Sequence, residues 1–219
     1  HASGLAWEAG HAENLGVTVG EVSVDLPKMV SWKDGIVDKL TGGVGFLFDK
    51  AGVEVVRGHA RFSSDREVAV ETDEGPVHIA FEQAVIASGS SVMPLQGFEV
   101  DGERIISSTQ ALSLEEIPRR LVVIGGGYIG LELGTVYAKL GSEGEGGEFL
   151  RELMPGYDRE VVRALRKRLK KLGVTLHLNH EATGWEEDDP LSVIVRERES
   201  GEEKRIAADR VLVSVGRVP

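Results

Sequence analysis

The chain has 219 residues, with 25 lysines and arginines against 36 aspartates and glutamates, a formal net charge of −11 and no cysteine. That acidic balance argues against a nucleic-acid or anionic-membrane partner, and no apolar run approaches the ~20 residues of a membrane span. The missing cysteine excludes disulfides, thiolate nucleophiles, thiolate-bound zinc and any dithiol redox centre within these residues. None of the six histidines stands at a ligand spacing, so no metal site is expected. With no signal-peptide pattern, the expected location is the cytoplasm.

In chain order, Leu5, Ala6, Ala9, Ala12 and Leu15 carry a helical rhythm that Gly16 ends. Asp25-Leu26-Pro27 opens a long amphipathic helix with Trp32, Ile36, Leu40, Leu47 and Phe48 on one face, closed by Gly52. From Val53 the period changes to two. Val53–Val56, His59–Phe62, Glu67–Val70 and Pro76–Ile79 read as short antiparallel strands separated by turn residues. Ala84-Val85-Ile86-Ala87-Ser88-Gly89-Ser90 reads as an apolar strand running into small polar residues, the place where an α/β sheet admits a ligand. Residues 91–105 read as an irregular connection, followed by a short helix before Pro118.

The most informative stretch is residues 121–134, Leu-Val-Val-Ile-Gly-Gly-Gly-Tyr-Ile-Gly-Leu-Glu-Leu-Gly. Four apolar residues, three of them β-branched apart from Leu121, predict a buried parallel strand. Gly125, Gly127 and Gly130 follow at G-x-G-x-x-G spacing and lead into a helix. Gly125 permits the tight turn, Gly127 admits a pyrophosphate against the backbone N–H groups of the helix start, and Gly130 lets helix and strand pack closely. Gly126 and Ile129 complete the loop. Glu148, eighteen positions past Gly130, falls where a second strand should end. A carboxylate there accepts from a ribose diol and repels a 2′-phosphate, which argues for NAD over NADP. The strand before it, Gly144-Glu145-Gly146-Gly147, is expected to be weak, because glycine leaves nothing to pack.

Asp158 is the expected N-cap of the next helix, with Val161, Leu165, Leu169 and Leu172 as its stripe and a basic C-terminal half that suits the helix dipole. Val174–Leu178 reads as a strand, Leu191–Glu197 with Glu203–Ile206 as a hairpin, and Arg210–Gly216 as a last buried strand.

Taken in this order, Leu40-Thr41-Gly42-Gly43-Val44, Val85–Ser90, Ser107-Ser108-Thr109-Gln110-Ala111-Leu112, Val122–Gly134, Met154-Pro155-Gly156-Tyr157-Asp158 and Val211–Pro219 carry a resemblance. The chain resembles the dihydrolipoamide dehydrogenases, a family of flavin-dependent pyridine nucleotide-disulfide oxidoreductases. The fold this implies is α/β, with Rossmann-like FAD- and NAD(P)-binding three-layer domains, a parallel sheet and a small antiparallel crossover sheet. Residues 1–105 would be part of an FAD-binding domain and residues 106–219 an NAD-binding domain. The implied activity is reoxidation of dihydrolipoamide through a disulfide and FAD to NAD.

The resemblance also implies roles for particular residues. Tyr128 would lie at the nicotinamide pocket and Glu132 near the reactive edge of the flavin. Ala60, Ala87, Ser88 and Gly89 would contact FAD through backbone, and Gly216 would contact NAD. The implied partners are dihydrolipoamide on the acyltransferase subunit of 2-oxoacid dehydrogenase complexes and a second copy in a homodimer. The redox disulfide of the family has no counterpart here, so the chain is expected to be a portion of a longer polypeptide. Two alternatives stay open: another flavoprotein disulfide reductase of the mercuric reductase or transhydrogenase type, and a non-catalytic NAD-binding module.

Overall fold

The computed structural model describes residues 1–148 and 152–219; the side chains of Glu145 and Glu148 lie outside the description. The elements run α1 (Ala2–Gly10), a 3-10 turn (Ala12–Leu15), α2 (Leu26–Ala51), β1 (His59–Phe62), β2 (Glu67–Thr72), β3 (Gly75–Ala80), β4 (Ser91–Val92), β5 (Ile105–Ile106) and α3 (Ser108–Ala111). They continue with β6 (Arg120–Ile124), α4 (Tyr128–Lys139), β7 (Glu143–Glu148), α5 (Arg159–Lys171), β8 (Thr175–Leu178), β9 (His180–Glu186), β10 (Leu191–Glu197), β11 (Glu203–Ala208), β12 (Arg210–Val213) and β13 (Arg217–Val218). The chain divides into two compact units, residues 1–31 with 90–219, and residues 32–89.

The smaller unit carries a three-stranded antiparallel meander, β1-β2-β3, in which Val70 is the buried residue. Two sequence expectations fail here. Neither Val53–Val56 nor Ala84–Ser90 forms a strand. A strand exists only by pairing, and these segments pair with none of the described strands, leaving Val85 92 % and Ile86 74 % exposed. The apolar face of α2 is formed as a helix but not covered, and Trp32, Leu40 and Leu47 are exposed.

The larger unit has three layers. Its centre is a parallel sheet in the order β5-β12-β6-β7-β8. Because side chains alternate along a strand, β6 sends Val122 and Ile124 to one face and Leu121 and Val123 to the other. Val122 and Ile124 pack with Val211 and Val213 against Val193, Val195, Ile206 and Ala208 of the antiparallel sheet β9-β10-β11. Leu121, Val123 and Leu212 pack against Ala111 and Tyr137 on the helical side. The expected three-layer α/β fold with its small antiparallel sheet is therefore present.

The weak strand does form. Every residue of β7 from Glu143 to Gly147 pairs with β6, and Glu145 to Glu148 also pair with β8. Ladder bonds from two neighbours hold the backbone that the glycines themselves leave under-packed. The residual gap is a small cavity of about 30 Å³ lined by Gly144, Gly146, Gly130 and Gly134 together with Leu121, Val123 and Leu169.

Four strands escaped the sequence reading. Ile105–Ile106 is a strand of only two residues, fully buried at the sheet edge, too short to show a period. Ser91–Val92 and Arg217–Val218 form an antiparallel two-residue ladder between segments more than a hundred residues apart. β9 carries Glu181, Gly184 and Glu186, which hide its strand character.

Candidate functional site: a glycine-lined cleft at the sheet's switch point

From β6 the chain moves outward through α4 to β7 and β8. It then returns through the antiparallel layer to β12, on the other side of β6. The order of strands thus reverses between β6 and β12, and ligands of open α/β sheets bind beyond the strand ends at such a point. A cleft of about 670 Å³ opens there, within the usual range for a small-molecule site. One wall is Gly125–Ile129, a second is Ser214–Arg217 with Met93–Leu95, and a third is His180–Ala182 with Val195 and Ile206.

Each glycine of the loop has a distinct physical reason. Gly125 adopts φ +109°, and a Cβ there would stand 2.4 Å from the Ser214 carbonyl oxygen. A Cβ on Gly130 would stand 2.4 Å from Ser214 Oγ and 2.5 Å from the Gly125 carbonyl oxygen. Gly127 differs: its φ of −77° is ordinary for any residue, and a Cβ there would meet nothing within 4 Å. Packing within the chain therefore requires Gly125 and Gly130 but leaves the space beside Gly127 open to the cleft.

Gly127 caps α4, whose first turn carries no acidic residue. The N–H groups of Tyr128, Ile129 and Gly130 lie beyond reach of any helical carbonyl, and the positive end of the helix dipole adds to them. This is the electrostatics of an anion site. A diphosphate fits it: the backbone donors are in place, and the one side-chain carbon that would obstruct it is missing.

Ser214 was not foreseen, although it directly follows β12 in the small-residue end of a buried strand. Its N–H donates to the Ile124 carbonyl at 2.8 Å, and its hydroxyl reaches Ile124 O at 3.1 Å and Gly125 O at 3.3 Å. These bonds tie the ends of β6 and β12 together at the cleft floor. Met154 N–H donates to Gly126 O at 3.1 Å and holds the loop from the other side. Farther out, Arg120 pairs with Asp209 at 2.5 Å. Burial raises the Asp209 carboxyl, but the hydrogen bonds and charge of Arg120 outweigh it and hold the group below its ordinary range.

The cleft collects Gly125, Gly126, Gly127, Tyr128, Ile129 and Gly216, while Gly130 packs behind the loop. Tyr128 begins α4 and is 57 % exposed. Glu132 lies one turn later, exposed and outside the cleft lining. Gly216 has φ +147°, and its carbonyl accepts from Met93 N–H at 3.1 Å. The Arg217 guanidinium donates from Nε to Ser90 Oγ at 2.7 Å and from a terminal nitrogen to Ser90 O, which closes the end of the second wall. The backbone of Glu148 ends β7 opposite Leu178, whereas its side chain lies outside the described residues. Ala60, on β1, and Ala87, Ser88 and Gly89, in an irregular segment, are exposed residues of the smaller unit.

Comparison with known proteins agrees with this geometry. The family model for pyridine nucleotide-disulphide oxidoreductases matches residues 5–219. The chain belongs to that family. Within it, the chain is 44 % identical over 218 residues to a dihydrolipoyl dehydrogenase of Haloferax volcanii, covering 98 % of this chain and 46 % of the relative. It is 47 % identical over 206 residues to a dihydrolipoyl dehydrogenase of Pseudomonas aeruginosa, covering 94 % and 43 %. The structure matches the Mycobacterium tuberculosis protein LpdA with a TM-score of 0.87 at 21 % identity, over 100 % of this chain and 47 % of that one. It matches an HOCl-induced flavoprotein disulfide reductase of Escherichia coli with a TM-score of 0.75 at 26 % identity, over 98 % and 46 %. The chain thus spans somewhat less than half the length of these family members. Among the described residues, no helix is long and apolar enough to cross a membrane, and no group of histidines and acids could hold a metal ion.

Proposed function

We propose that this chain is the nicotinamide-binding part, with an adjoining part of the flavin-binding region, of a dihydrolipoyl dehydrogenase. Its substrate would be dihydrolipoamide carried on the acyltransferase subunit of a 2-oxoacid dehydrogenase complex. The observation that carries the reading is the unequal set of loop glycines: Gly125 and Gly130 are demanded by contacts inside the fold, whereas Gly127 faces open cleft at a helix N-terminus. When bound, NAD would supply the acceptor of an electron pair as hydride, and FAD would supply the relay of that pair from a dithiol. The residues of this chain bind and orient. First-turn N–H groups of α4 hold the diphosphate, and Glu148, at the end of β7, accepts from the adenosine ribose.

Tyr128, at the cleft mouth, covers the nicotinamide and excludes water from it. Glu132, on the exposed side of the next turn, stands toward the flavin, and Gly216 offers its backbone to the nicotinamide half. Ala60 and Ala87-Ser88-Gly89 bind FAD through their backbone. On this reading residues 1–105 belong to the flavin domain and 106–219 to the nicotinamide domain. The enzyme works as a cytoplasmic homodimer, and its dithiol lies outside these 219 residues, which contain no cysteine.

Fluorescence titration of the chain with NADH and NADPH tests the reading. Saturable NADH binding, at least about tenfold tighter than NADPH, supports it. Equal affinity for the two, or no binding of either, contradicts it. A second reading, a nicotinamide-binding module without catalysis, is favoured by the missing cysteines. Flavin retained by the purified protein and released on denaturation decides against that module.

A further inference from the structure

The third wall of the cleft contains a side chain whose chemistry the loop does not explain. Resting on the nicotinamide-dinucleotide reading above, strand register tells which half of the ligand meets this wall. β7 ends at Glu148, and Glu148 pairs with Leu178 at the end of β8. In this fold the end of the strand after the glycine-loop helix takes the adenosine ribose. The residues just past Leu178 therefore form the adenosine end of the cleft, and three of them, His180, Glu181 and Ala182, line it.

His180 is held in a defined state. Its Nδ1 lies 2.7 Å from the Leu178 carbonyl oxygen. A carbonyl oxygen only accepts, so Nδ1 carries the hydrogen. In the neutral imidazole Nε2 is then an acceptor with no hydrogen to give. The ring is braced by buried His177, with centroids 5.5 Å apart and planes at 66°. The bend that turns His180 into the cleft wall is fixed by Asn179, at φ +62°, whose side-chain amide donates to Glu197 Oε1 at 2.8 Å.

We propose that His180 Nε2 accepts a hydrogen bond from the 6-amino group of the adenine, so that this chain selects adenine over 6-oxopurine dinucleotides. A 6-oxo group would set its own lone pairs against Nε2, and a site built around one hydrogen bond rejects the analogue that cannot make it. His180 is thus a specificity-determining residue for the non-reacting end of the cofactor.

The test is a paired titration of the chain with NADH and with its hypoxanthine analogue, deamino-NADH. The wild-type chain should bind NADH about tenfold more tightly. In His180→Ala and His180→Phe the preference should fall to about onefold through weaker NADH binding alone. Unchanged deamino-NADH binding then shows that the cleft is still folded. Equal affinities in the wild-type chain overturn the proposal while leaving the dinucleotide site intact. A preference that survives His180→Ala but disappears in Glu181→Gln overturns it too, by giving the acceptor role to Glu181. If neither nucleotide binds the wild-type chain, the underlying dinucleotide reading fails first, and this proposal goes with it.

Discussion

Gly130 and Ser214 touch so closely that the helix of the site can sit on its sheet only because one of them lacks a side chain. A Cβ on Gly130 would lie 2.4 Å from Ser214 Oγ, with the Gly125 carbonyl oxygen 2.5 Å away on the backbone. Ser214 in turn binds the carbonyls of Ile124 and Gly125. Helix, loop and the ends of two central strands are therefore one packed unit.

It follows that Gly130→Ala should act on stability before it acts on binding. The serine hydroxyl can turn away, but the backbone carbonyl cannot, so α4 must shift. Overpacking of this kind costs about 1–3 kcal/mol, and the urea midpoint should fall accordingly with little change in slope. Adding Ser214→Gly should recover less than half of the loss, because the contact with Gly125 O remains.

Tyr137 offers a check on the helical layer. Its ring is buried at 3 % exposure, and its hydroxyl donates to the Ala111 carbonyl at 2.5 Å. Tyr137→Phe should cost about 1–2 kcal/mol, since a buried acceptor is left without its donor. Burial pushes the phenol up to about 12 from an ordinary value of 10.0. A raised pKa in the folded state means that its contribution is complete below pH 10 and is lost as the pH rises toward 12. Wild-type stability should thus decline over that alkaline window, and the decline should shrink in Tyr137→Phe.

The thin strand β7 makes an opposite prediction. A Cβ on Gly144 would meet Val174 Cγ2 at 3.4 Å, an ordinary contact, beside the small cavity under α4. Gly144→Ala should therefore stabilise the chain by about 0.5–1 kcal/mol, because it removes the entropic cost of a strand glycine and fills empty space. Gly146 has less room, with Leu176 Cδ2 at 3.3 Å, and its alanine variant should gain less. Thermal denaturation of the two variants side by side reads the difference.

What the sequence made legible was local. The β-branched run of β6, the glycine spacing and the helix after it are short-range signals, and all three stand where expected. So does the Asp158 cap, which accepts from Glu160 N–H at 2.7 Å. What it hid depends on pairing between distant segments. Ala84–Ser90 has the composition of a buried strand yet pairs with no described strand, and Val53–Val56 fails for the same reason. In contrast, the glycines of β7 suggest a weak strand, but two flanking ladders impose one. The cleft shows the same division. Its glycine loop could be read directly, whereas Ser214, Met93 and His180 reach it only through the return of the chain to β12 and the folding of β9 over the sheet.

The most direct test of the account is Gly127→Ala, measured for both stability and NADH affinity. The backbone angle there tolerates alanine and the added carbon meets no atom of the protein, so the unfolding free energy should stay within about 0.5 kcal/mol of wild type. If that open space takes the diphosphate, as proposed, NADH binding should weaken at least about tenfold. Unchanged NADH affinity in a normally stable Gly127→Ala chain would contradict the assignment of this loop as the cofactor's phosphate site.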